Sequence, residues 1–179
     1  MSLKYSLPNT FKLVDSANVS VIFGENNEIC GDLASNICCY HFENYECFNA
    51  EKPSEAINKV KKLLTQHKTE HLTKIDLFVI DLDKISNIFD SEKLFELLLE
   101  LNEFSKANSL KMLVLFTTEN NSLISKVYSN FTPEQKLQIL FLKVNDTNPI
   151  KLFVETGKHK SESIFYAVRT ELRFMQEVN

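Results

Sequence analysis

The run Ile75-Asp76-Leu77-Phe78-Val79-Ile80-Asp81 constrains the fold more than any other segment of the chain. Leu77 to Ile80 are apolar without alternation, so a strand built from them buries both faces, as strands do in a parallel sheet covered by helices on either side. An aspartate closes the run. In a parallel α/β sheet the polar side chains that matter collect in the crevice beyond the carboxyl ends of the strands, which is where Asp81 would lie.

Similar runs recur along the chain. Val19 to Phe23 is short, apolar and partly β-branched, and ends at Gly24; Tyr45 to Phe48, Lys111 to Thr117, and Leu137 to Leu142 followed by Lys143 complete a set of five expected strands. Helical spacings separate them. Ile29, Leu33 and Ile37 follow a capping Asn26 or Asn27, and Ala56, Ile57, Val60, Leu63 and Leu64 follow Pro53. Leu94 to Phe104 and Ser122 to Tyr128 are two further helical stretches. This alternation requires crossovers between parallel strands, so the expected fold class is α/β, a three-layer sandwich with helices on both faces of one five-stranded parallel sheet.

The ends of the chain are less regular. Residues 1–17, interrupted by Pro8, read as an amino-terminal extension, and residues 18–160 as the folded domain. Ile150 to Val154 suits either a sixth strand or the first turn of a helix. From Ser161 to Gln176, Ile164, Val168, Leu172 and Met175 stand near helical spacing, so a carboxyl-terminal helix is expected over residues 161–179, covering the sheet or pairing with another chain.

Composition narrows the function classes. A net charge of -4 and a pI near 5.6 argue against non-specific nucleic-acid binding, which needs a surplus of Lys and Arg facing the phosphates. The longest apolar runs are too short to span a bilayer, and no basic segment followed by an apolar stretch opens the sequence, so a soluble, cytoplasmic protein is expected. Cys30, Cys38, Cys39 and Cys47 crowd into one stretch and read as free thiols of a reducing compartment. The three glycines, Gly24, Gly31 and Gly157, form neither a phosphate loop nor a dinucleotide-binding fingerprint.

The expected strand ends supply Glu25 after the first strand, Asp81 and Asp83 after the third, Thr117 and Thr118 after the fourth, and Lys143 after the fifth. Three local patterns accompany them: Phe23-Gly24-Glu25-Asn26-Asn27-Glu28-Ile29, Tyr45-Glu46-Cys47-Phe48-Asn49-Ala50 with Ser54-Glu55-Ala56-Ile57 following, and Asp76-Leu77-Phe78-Val79-Ile80-Asp81-Leu82-Asp83. Together they resemble the receiver domain of response regulators, over roughly Asn18 to Lys143. The resemblance implies a sheet in the order 2-1-3-4-5 and a non-enzymatic signalling module. It also implies Asp81 as phosphoacceptor, Thr117 and Lys143 contacting the phosphoryl group, and Mg²⁺ held by Glu25, Asp81 and Asp83. A histidine kinase or downstream signalling protein would be the partner, or a second copy of the chain. Mg²⁺ suits such a site, since it takes oxygen ligands and relieves repulsion between carboxylates.

Four positions depart from that family. Gly24 occupies the place of the first acid, which weakens the expected Mg²⁺ site; Ile85 and Val144 replace prolines; and Leu140 stands where the switch aromatic belongs. A second resemblance is to decayed RecA-like ATPases, which share a short apolar strand, a Gly-containing turn and a strand ending in aspartate. Gly24 to Gly31 would then be a ruined phosphate loop without its lysine, and Ile139 to Val168 would supply the late strands. Such a chain would be a non-catalytic subunit of a complex.

Other motifs carry less. His67 and His71 lie four apart but lack the glutamate of a zinc protease, and read as a solvated polar linker. Cys38, Cys39, His41 and Cys47 lack the paired spacing of a zinc site.

Overall fold

The structure, a computed structural model, describes residues 8–72, 74–82, 90–118, 121–145, 150–155, 160–168 and 174–178. In chain order the elements are α1 (Pro8–Ser16), β1 (Val19–Gly24), α2 (Asn27–His41), β2 (Tyr45–Asn49), α3 (Pro53–Thr69), β3 (Leu77–Asp81) and α4 (Ser91–Asn108). They continue with β4 (Lys111–Thr117), α5 (Asn121–Asn130), α6 (Pro133–Gln138), β5 (Ile139–Asn145), β6 (Ile150–Glu155), β7 (Lys160–Val168) and β8 (Phe174–Val178). The chain is α/β, and β1 to β5 are all parallel, as expected from their apolar runs.

The helices lie on both faces. Alternate residues of each strand point to opposite sides, so each side has its own core. Val21, Phe23, Phe78, Ile80, Val114 and Phe116 pack with α3, α4 and α5. Ile22, Leu77, Val79, Leu113, Leu115 and Leu142 pack with α1 and α2. Within the segment expected to be an extension, α1 starts at Pro8, a residue suited to a first helical turn, and buries Val14 on the α2 face.

The order of the sheet differs from the expected one. It runs β2-β3-β4-β1-β5-β6-β7-β8, so the parallel part is 2-3-4-1-5 and the order 2-1-3-4-5 is not matched. Strand order depends on which distant edges pair, and each apolar run is equally able to pair on either side; nothing local in the sequence selects the neighbour. Here β4 lies between β1 and β3, with Val19 to Gly24 in register with Met112 to Thr117, and Leu77 to Asp81 in register with Lys111 to Leu115.

The carboxyl-terminal segment also requires correction. Of the residues expected to form a helix over 161–179, the described ones instead lie in β7 and β8, antiparallel to one another, and β6 joins them to β5. Ile164-Phe165-Tyr166 is a run of strong strand formers, and pairing with β6 outweighs the incidental helical spacing of Ile164 and Val168. Ile150 to Val154 is correspondingly strand.

One polar network is buried at the amino-terminal end of β1. Asn18 Nδ2 donates to Asn102 Oδ1 at 3.2 Å, and Asn102 Nδ2 donates to Gln138 Oε1 at 2.8 Å. Ser105 Oγ donates to the Asn18 carbonyl at 3.1 Å. Asn102 is fully buried, so these bonds tie α4 to β1 and to the end of α6 at a place where unpaired amides would be costly.

Candidate functional site

In an open α/β sheet the ligand crevice forms between adjacent strands whose following helices leave to opposite faces. That condition is met between β1 and β4. The chain leaves β1 for α2 on one face, and leaves β4 for α5, whose Leu123, Ile124 and Val127 lie in the core of the other.

On the β1 side of this crevice the turn is short and its helix start is capped. Glu25 and Asn26 are the only residues between β1 and α2, too few for a loop that wraps a phosphate. Asn26 Oδ1 accepts from the Glu28 N–H at 2.9 Å and the Ile29 N–H at 3.2 Å, taking donors that a helix start would offer to an anion. Glu28 adds negative charge in the same turn. Across the gap, the Thr118 N–H donates to the Gly24 carbonyl at 2.8 Å and extends the pairing of β4 with β1 beyond the strand ends.

Gly24 has a packing reason to be glycine. A Cβ there would run into the backbone carbonyl oxygen of Val144 and stand 3.3 Å from Cys30 Sγ. The position that the receiver resemblance assigns to an acid therefore has no room for a side chain without a shift of β5.

The expected site residues fall into separate groups. Asp81 follows Val79 by two residues and lines a cavity of about 470 Å³ with Ser35, Cys38, Cys47 and Asn49, on the α2 side of the sheet. Thr117 follows Leu115 by two residues and shares that face, on the neighbouring strand. Lys143 is paired with Phe23, which points into the α4 core, so it projects from the opposite face. Asp81 and Thr117 are brought together; Lys143 is not.

Glu25 is exposed beyond β1, two strands from Asp81, a separation of about 10 Å between strand axes. Asp83 and Ile85 lie outside the described residues. Among the described residues, no group of three or more His, Cys, Asp or Glu is placed to hold a metal.

Cys30, Cys38 and Cys47 are not joined in disulfides among the described residues; the first two are buried and the third exposed. No helix among the described residues is long and apolar enough to cross a membrane. His67 and His71 do not share a helix face, because α3 ends at Thr69 and His71 takes a left-handed backbone with φ 51°. They line one cavity together with Lys68 and Lys74 at the amino-terminal ends of β3 and β4, a grouping that no spacing in the sequence signals.

No protein-family model matches the chain, and no curated protein matches it.

Proposed function

We propose that the chain is a degenerate RecA-like subunit that binds no nucleotide and serves a complex as a non-catalytic partner. The observation that carries this is β4 standing between the glycine-ended β1 and the aspartate-ended β3. An interposed strand of this kind resembles the RecA-like arrangement, whereas in a receiver the first and third strands are neighbours. Further support comes from β5, β6 and β7, which span Ile139 to Val168 where the late strands of such a fold are expected.

The closed turn after β1 supports the loss of nucleotide chemistry. With Asn26 taking the Glu28 and Ile29 N–H groups and no lysine in the turn, a triphosphate loses two helix-terminal donors and the lysine counter-charge of a phosphate loop. What remains useful is surface. The chain acts by protein contact and is not an enzyme, and cysteines outside disulfides suit a reducing cytoplasm.

The test is to isolate the tagged full-length chain from its native cells after mild cross-linking and identify what is joined to it. A P-loop ATPase in stoichiometric amount is the expected result. A histidine kinase or a receiver-controlled output protein in its place would return the protein to two-component signalling.

A further inference from the structure

A cavity of about 670 Å³ opens at the end of the sheet opposite the crevice, between the last turns of α3 and α4 and the starts of β3 and β4. Its floor is apolar: Leu64, Ile75 and Leu110 contribute, and Leu72 at its edge is 48% exposed, which extends the apolar surface to the rim. The charged residues lining it are all basic or histidine, namely Lys68, Lys74, His67 and His71, in a chain whose net charge is -4.

Lys68 and Lys74 are not needed to finish the helices. The Gln66 carbonyl accepts from the Glu70 N–H at 2.9 Å and the His67 carbonyl from the Leu72 N–H at 3.1 Å. At the end of α4 the Phe104 carbonyl accepts from Asn108 Nδ2 at 2.9 Å and the Ser105 carbonyl from the Leu110 N–H at 3.4 Å. Glu46 approaches His67 Nε2 at 3.7 Å from β2, and no ion pair of Lys68 or Lys74 is formed among the described residues.

We infer that this cavity is a docking site for an acidic segment of a partner protein, with one bulky apolar residue seated on Leu64, Leu72, Ile75 and Leu110 and carboxylates facing Lys68 and Lys74. An apolar floor with a basic rim selects an acidic, apolar-anchored peptide; a nucleic acid would want a broader basic surface with aromatic platforms, and the lining has no Phe, Tyr or Trp. The inference does not depend on the RecA-like proposal, since it concerns the other end of the sheet.

The test uses the full chain and an array of short synthetic peptides rich in Asp and Glu, each carrying a single Leu, Phe or Met, with matched peptides lacking the apolar residue. Members with the apolar residue are expected to bind best. Lys68→Glu combined with Lys74→Glu should weaken them at least about tenfold, and Leu72→Ser should also weaken them. Lys61→Glu with Lys62→Glu, on exposed positions of α3 outside the cavity, should leave binding unchanged, and circular dichroism verifies that each variant is folded. The inference is overturned if no acidic peptide binds better than its apolar-free match, if the Lys68/Lys74 variant binds as wild type does, or if a single-stranded oligonucleotide displaces the peptides.

Discussion

The backbone N–H of Thr118 donates to the carbonyl of Gly24 at 2.8 Å, the last rung of the ladder that places β4 beside β1 and between β1 and β3. That placement separates Asp81 from Glu25. Were β3 beside β1, the two carboxylates would stand at the ends of neighbouring strands, as the expected paired-carboxylate site requires.

Gly24 is held by the close approach of β5. Gly24→Ala should destabilise the protein by about 1–3 kcal/mol, the usual cost of forcing extra volume against a well-packed backbone. Urea unfolding measures it as a lower midpoint at unchanged slope. Equal stability of the two proteins would mean that β1 and β5 are farther apart than described.

Asn102 bridges Asn18 and Gln138 in full burial. Asn102→Leu leaves a donor and an acceptor without partners, at a cost of about 1–3 kcal/mol. A drop in melting temperature is expected, and an unchanged or raised value would contradict the network.

Asp81 and Lys143 project from opposite faces of the sheet, which separates the acceptor from its expected counter-charge. Incubation with acetyl phosphate and Mg²⁺ should therefore leave the intact mass unchanged under conditions that label a control receiver. A single phosphoryl gain that Asp81→Asn abolishes would restore Asp81 as a phosphoacceptor.

The first turn of α3 is pH-sensitive in a defined direction. The Glu51 N–H donates to Glu55 at 2.8 Å, and Lys59 pairs with it at 2.9 Å; together they hold its carboxyl below the usual carboxylate range. A lowered carboxylate contributes stability that is complete above its unfolded value and is lost as pH falls through the lowered one. Glu55→Gln should thus unfold at lower urea than wild type at neutral pH, and the gap should close in strong acid. A gap that persists in acid would assign the effect to something other than the charge.

Much of the fold is legible because Leu77 to Ile80 and Met112 to Phe116 are apolar on both faces, a pattern that suits a covered parallel sheet. Asn26 and Pro53 mark helix starts by their own chemistry, as does the Thr132-Pro133-Glu134-Gln135 capping box of the short α6. Strand order was not legible. It rests on pairings between residues far apart, such as Gly24 with Thr117, and no local spacing encodes them. The separation of Lys143 from Asp81 follows from that order and from register, while the tail from Ile164 to Val168 satisfies two periodicities at once and is decided by its partner strand. The cationic cavity was hidden for the same reason, since Lys68 and Leu110 meet only after folding.

Equilibrium dialysis of the full chain against labelled MgATP tests the loss of nucleotide binding most directly. No saturable binding at millimolar nucleotide is the predicted result, with the protein shown to be folded in the same buffer. Saturable binding that Asp81→Asn weakens would contradict the account, because it would mean that the short, Asn26-capped turn after β1 still holds a phosphate beside the aspartate-ended β3.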